Sequence, residues 1–211
     1  MTISGIKPDS AETLRLLEQA GQGDAAAVEA LLRRHRPDVL DFVRLHFDPR
    51  LRPRVDPLDV VQEAQLEMAR RMKDFLRRRP MPFRLWARKT AYERMLNLRR
   101  DHRRARRSVS REDALPDRSS MLLVSPFVAA DPSPDQAAAD RERAEQVRAA
   151  VAELPEADRE ILLMRHAEDL PYEEIACLLG VEPAAARKRY GRALIRLQKV
   201  LSDHGLLEDR P

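Results

Sequence analysis

Between Leu170 and Val200 the chain spells out a helix, a tight turn and a second helix, and few folds accept that order of signals. Leu170-Pro171-Tyr172-Glu173-Glu174-Ile175-Ala176 opens a short helix, Leu179-Gly180-Val181 ends it, and Pro183 begins the next. Gly180 can take the left-handed conformation that closes a helix, and Pro183 lacks a donor at a position that needs none. Beyond it, Ala186, Tyr190, Ala193, Leu197 and Val200 recur at alternating steps of four and three, so they share one face, which is predicted to be core. Arg187, Lys188, Arg189, Arg192, Arg196 and Lys199 fall around the remaining circumference. An isolated basic helix is most often a solvated face. Preceded by this turn, it fits a helix-turn-helix whose second helix lies in a DNA major groove, with side chains near its start meeting phosphates or base edges and those farther along facing solvent, where Arg196 adds at most a general attraction to phosphate. A preceding helix opens at Leu154-Pro155-Glu156-Ala157-Asp158-Arg159-Glu160.

Helical periodicity also governs the first half of the chain, and alternating β-branched runs are almost absent, so the expected fold class is all-α. Aromatic residues at 4% and charged residues at 35% of 211 suit two small helical domains on a flexible linker better than one broad core. The formal net charge of +4 understates the local fields, because Arg is crowded into blocks that point to a polyanionic partner. Cys177 is the single cysteine, which excludes an internal disulfide framework and a Cys-rich zinc site. Neither a cofactor, a metal nor a catalytic residue is expected. No stretch approaches the ~18 apolar residues that span a bilayer, and no apolar run follows Met1, so a cytoplasmic chain without membrane insertion is expected.

Residues 1–10 read as a flexible tail, with Ser10 capping a helix that carries Leu14 and Leu17. After Gly21 and Gly23, Asp24 offers an N-cap to a stripe of Val28, Leu31, Leu32 and, past Pro37, Val39, Leu40, Val43 and Phe47. Asp56 caps a further helix with Pro57 at its first position and Val60, Val61, Ala64, Met68, Met72 and Phe75 on its buried face. The two prolines of Arg77–Pro82 predict a loop, and the next helix runs from about Phe83 toward Arg107 with Phe83, Trp86, Thr90 and Ala91 on one side. Trp86 lies on that stripe and is predicted to be core. From 108 to 140 the periodicity collapses into a linker punctuated by Pro and Ser, whose Met121-Leu122-Leu123-Val124 and Phe127-Val128 patches are apolar enough to dock on a partner.

These pieces resemble the bacterial RNA polymerase sigma factors of the extracytoplasmic-function group, in which a helical promoter-melting domain (region 2) and a helix-turn-helix domain (region 4) flank a linker. Region 2 is carried by Gly23-Asp24, Arg33-Arg34-His35-Arg36-Pro37, Asp59-Val60-Val61-Gln62-Glu63 and Phe83-Arg84-Leu85-Trp86. Region 4 is carried by Leu154-Pro155, Arg159-Glu160-Ile161-Leu162, Tyr172-Glu173-Glu174-Ile175-Ala176, Leu179-Gly180-Val181 and Arg192-Ala193. The Glu-Ala-Asp-Arg-Glu and Lys-Arg-Tyr-Gly-Arg-Ala segments resemble planctomycete-type members most. On this resemblance region 2 spans 11–107, the linker 108–140, region 4 141–201, and a tail 202–211.

The resemblance implies a factor that binds core RNA polymerase and directs promoter-specific initiation. Asp59, Gln62 and Glu63, at i, i+3 and i+4, share a face opposite Val60, Val61 and Ala64, and would dock on the clamp of the largest subunit. Region 4 would meet the flap of the second-largest subunit, and an anti-sigma factor or other regulator is a further implied partner. The minus-ten element would be read by Arg79 and Met81 of the proline loop, a candidate base pocket, and by Arg88, Lys89, Tyr92, Arg94, Asn97 and Arg100 of the following helix, with Tyr92 stacking on an unpaired base. The minus-thirty-five element would be read by Tyr172, Ala184, Ala185, Arg187, Lys188, Arg189 and Arg192. No Gly-x-x-x-x-Gly-Lys loop is present, so binding free energy for the unpaired strand would drive melting. The chain departs from the family pattern at Pro171, Glu182 and Ala185, where Ser or Thr is common, and at Asn97, often Asp.

Two rivals compete. A stand-alone helix-turn-helix regulator needs a dimer seam or effector pocket, and the first domain lacks heptads. An enzyme acting on nucleic acid would use Asp56, Asp59 and Glu63 for magnesium, but two-metal sites usually draw ligands from separate elements and no supporting His or Lys accompanies these.

Overall fold

The computed structural model describes residues 5–48, 51–106, 145–147 and 149–206, and among these the regular structure is helical throughout. The linker at 108–140 lies outside the described residues. In order, α1 spans Ala11–Gly21, α2 Ala25–His46, α3 Pro57–Arg78, α4 Phe83–Arg106, α5 Glu156–His166, α6 Tyr172–Leu179 and α7 Pro183–Asp203. Residues 145–147 and 149–153 are also helical. There are two compact units, the first built on α1 to α4, the second on α5, α7 and the helical residues before them.

The helix starts follow local chemistry. Ser10 accepts from Thr13 N at 3.3 Å, and Asp24 from Ala26 N at 2.8 Å and Ala27 N at 3.2 Å. Asp56 accepts from Leu58 N at 2.7 Å, while Asp59 reaches back to Asp56 N at 3.4 Å, closing a capping box ahead of Pro57. Proline signals were less decisive than their spacing suggests. α2 runs unbroken through Pro37, and α3 continues to Arg78, so only 79–82 remains as a loop.

The core of the first unit combines buried aliphatic side chains with an aromatic cluster. Phe75 stacks on Trp86 at 4.4 Å between centroids and meets Phe83 edge-on at 5.5 Å, and His35 tilts against Phe83 at 5.0 Å. The six expected residues of α3 are buried, and Trp86 is core. The buried face of α2 is turned from the expected stripe: Ala27, His35, Phe42 and His46 go inside, while Val28, Leu32 and Leu40 sit at its edge. His35 Nε2 hydrogen-bonds Thr13 Oγ1 at 3.0 Å, pinning α2 to α1.

Residues 7–10, read from sequence as tail, are structural. Asp9 Oδ2 accepts from Phe83 N at 2.6 Å and Oδ1 from Arg84 N at 3.1 Å, and Arg84 Nη2 donates to Lys7 O at 2.6 Å. Pro82 precedes α4 and has no side-chain acceptor, so the cap comes from a residue 74 positions away. At the other end of the chain α7 continues past 201 to Asp203, and Leu206 beyond it is buried.

Candidate nucleic-acid interface

In the second unit Gly180 has φ +66 and closes α6, and Pro183 occupies the first turn of α7. Neither Pro171 nor Glu182 makes a side-chain capping bond. Ala184 and Ala185 are exposed beside the start of α7, so small side chains leave its first donors open to an incoming acceptor. One turn on, Arg187 donates to Glu173 at 3.0 Å and lies 5.5 Å over the Tyr172 ring, which Arg165 approaches at 5.6 Å. Tyr190 meets Tyr172 edge-on at 5.7 Å and bonds His166 Nε2 at 2.9 Å. Burial pushes the Tyr190 phenol up, Tyr172 adds to that, and Arg165 opposes it. Lys188 and Arg192 are exposed and Arg189 half-buried. The arrangement therefore sets a guanidinium, held by a carboxylate and an aromatic ring, beside further exposed cations on the same helix.

The expected core face of α7 is only partly core. Ala186, Ala193 and Leu201 are buried, whereas Tyr190, Leu197 and Val200 are half-buried. Tyr190 instead packs with Tyr172 and His166, beside Arg165 and Glu173, and sequence spacing singled out neither Arg165 nor His166 for this. Arg196, farther along α7, pairs at 2.5 Å with Asp158, whose side chain is 6% exposed, so part of its charge serves the fold while its own side chain stays 53% exposed.

On α3, Asp59, Gln62 and Glu63 are exposed together, and Leu66 extends their face. Asp59 is engaged in the capping box, and Glu63 pairs with Arg94 of α4. A second pair, Arg71 with Glu93 at 3.7 Å, also joins the helices. Residues expected to face polymerase and residues expected to face the minus-ten element thus share a groove of about 520 Å³ lined by Glu63, Arg94 and Asn97.

The helix after the proline loop offers less than its sequence suggests. Tyr92 is 5% exposed and packs edge-on against Phe42 at 6.3 Å and His46 at 6.4 Å. Its ring is core, which corrects the expectation of a stacking platform. Arg88 lies 5.6 Å over the Phe42 ring, Lys89 and Asn97 are half-buried, and Asn97 accepts from the exposed Arg100. In the loop Arg79 takes the left-handed conformation with φ 39, caps α3 through its N–H, and donates from Nη2 to Leu17 O at 3.3 Å; Met81 is half-buried.

Residues 31–105 match the family model for Sigma-70 region 2, and residues 144–197 match that for Sigma-70, region 4. The chain is 27% identical over 93% of its length and 97% of the other chain to the RNA polymerase sigma factor CnrH of Cupriavidus metallidurans. It is 29% identical over 71% of its length and 53% of the other to the ECF RNA polymerase sigma factor SigE of Mycolicibacterium smegmatis. The chain belongs to the extracytoplasmic-function group of sigma factors.

As a sigma factor it binds core RNA polymerase and directs promoter-specific transcription initiation. The region 2 match covers most of α2, all of α3 and α4 up to its last residue but one, leaving Asp9 and α1 ahead of it; the region 4 match covers α5, α6 and most of α7. The fold agrees with that of CnrH in complex with the cytosolic domain of CnrY, at TM-score 0.55 and 22% identity over 92% of this sigma factor and 99% of that chain. It also agrees with the sigma factor RpoE in complex with the anti-sigma factor NepR from Bartonella quintana, at TM-score 0.54 and 17% identity over 86% and 98%. Among the described residues no helix of this sigma factor is long and apolar enough to cross a membrane.

Proposed function

We propose that the two units read separate promoter elements while α3 docks on polymerase. The first half of α7 reads the minus-thirty-five duplex: Arg187 and Lys188 reach base edges, Arg189 and Arg192 hold phosphates, and Ala184, Ala185 and Tyr172 admit the backbone to the helix start. The observation that carries this reading is Arg187 held between Glu173 and the Tyr172 ring beside an uncapped helix start.

The loop 79–82 and the outer face of α4 read the minus-ten element once its strands part. With Tyr92 inside, capture of an unpaired base falls to Met81 and the guanidinium groups of Arg79, Arg88 and Arg100, while Lys89, Arg94 and Asn97 line the path of the strand. Extruding a base costs a few kcal/mol, comparable with one or two stacking contacts, so binding alone can drive opening and the factor supplies no chemistry of its own. Asp59, Gln62 and Glu63 meet the clamp of the largest subunit, and the second unit meets the flap of the second-largest. An anti-sigma protein is a natural regulator, since RpoE was solved with one. The site of action is the cytoplasm.

Promoter-dependent transcription with purified core polymerase tests the whole reading. Addressed initiation is expected. DNA binding without initiation would favour a stand-alone regulator.

A further inference from the structure

We infer that Asp9 is a positioning residue for promoter opening, a role that rests on the reading of loop 79–82 and α4 given above. Phe83 is fully buried, so its N–H cannot turn to water, and Pro82 brings no acceptor to the helix start. Asp9 supplies both bonds, to Phe83 N at 2.6 Å and Arg84 N at 3.1 Å. Its neighbour Ser10 caps α1 and contacts Thr13 Oγ1 at 3.0 Å, and Thr13 in turn holds His35 of α2. Two adjacent residues therefore tie the starts of α1 and α4 together, with α2 joined through one further bond.

The consequence falls on the loop. Its exit is held by Asp9 at the start of α4, and its entry by Arg79, which donates to Leu17 O of α1. Arg84 Nη2 donating to Lys7 O at 2.6 Å fastens the same strap from the other side. A loop that must catch one base in a pocket loses efficiency when its ends shift by about an ångström, and the strap with α1 adds a common frame for both ends to the packing of Phe75 on Phe83. The strap and α1 precede residue 31, where the region 2 match begins.

The test uses holoenzyme assembled from the full chain and core polymerase. D9A is expected to slow opening of a duplex promoter, read by permanganate reactivity of the minus-ten thymines, by roughly three- to thirty-fold, the range for loss of a helix cap. Competition for core and binding to a minus-thirty-five duplex are expected to stay at the wild-type level, a split that general loss of the fold would not produce. D9N keeps an acceptor in place and is expected to restore most of the opening rate. Should D9A not fold, R84A severs the tie to Lys7 O while keeping the cap, and is expected to slow opening at an unchanged melting temperature. Wild-type opening by D9A, or by R84A where D9A cannot be made, overturns the inference. So does a parallel loss of core binding and opening. M81A separates this inference from the reading beneath it: if M81A slows opening and D9A does not, only the strap is wrong, whereas wild-type opening by M81A removes the loop and the strap together.

Discussion

α4 and α7 are both rich in cations, α4 the more so, yet they use them differently. On α7 the cations cluster outward from a helix start that no side chain caps, and the Arg187 side chain, though paired, remains 60% exposed. On α4 most of the chemistry is turned inward or engaged: Tyr92 is buried, Arg94 pairs with Glu63, and Arg99 is buried and donates to His46 O. A duplex presents its edges to whatever protrudes, so the proposed role of α7 calls for exposed groups on a rigid rod. A strand that must be melted first is caught by a shaped surface, so packing that fixes the surface matters as much as the groups on it.

The largest expected effect tests whether α4 is built around its core. Tyr92→Ala should destabilise the first unit by about 3–5 kcal/mol, as for other buried aromatics, while Tyr92→Phe, which keeps the ring against Phe42 and His46, should lose much less. Thermal melts decide this; an unchanged melt with lost promoter opening would return Tyr92 to the DNA surface.

Next is Arg196→Ala, which strands the buried Asp158 carboxylate. About 3 kcal/mol of stability should be lost, the low end for a buried pair because Arg196 is half exposed, and Asp158→Asn in the same chain should recover part of it. A variant that melts normally but binds DNA less tightly at low salt would mean that Arg196 faces phosphate after all.

Lys188→Ala should leave the melt alone and cost about 2 kcal/mol of discrimination at the minus-thirty-five element, if its ammonium reaches a base edge. Equal weakening on all sequences, with a shallower salt dependence, would reassign it to phosphate. On α3, Glu63→Arg should weaken competition for core polymerase, whereas Asp59→Ala should in addition fray the helix start by about 1 kcal/mol through loss of the capping box. Identical helicity in the two variants would remove that distinction.

The smallest effect is pH-dependent. Burial holds the His35 imidazole below its ordinary value of 6.5; Asp9 and Asp38 pull it up and Arg34 and Arg84 pull it down, leaving a net lowering. The unfolded chain therefore binds a proton that the folded one resists. The His35 contribution is complete above pH 6.5 and is lost as pH falls below it toward the lowered folded value. His35→Gln should flatten that part of the melting-temperature profile.

Sequence alone determined the features that a few adjacent residues control. Asp24 and Asp56 cap because their acceptors lie two or three residues from the donors, Gly180 turns because it lacks a Cβ, and the buried face of α3 follows from its period. The acidic face at Asp59, Gln62 and Glu63 was legible for the same reason. Only the tertiary structure decided which polar groups remained available for function. Asp9 caps α4 across 74 positions, Glu63 takes Arg94, Asp158 takes Arg196, and Phe42 and His46 enclose Tyr92. No local pattern encodes such pairings, because a side chain that looks outward on a helical wheel is buried or neutralised by whichever helix packs against it.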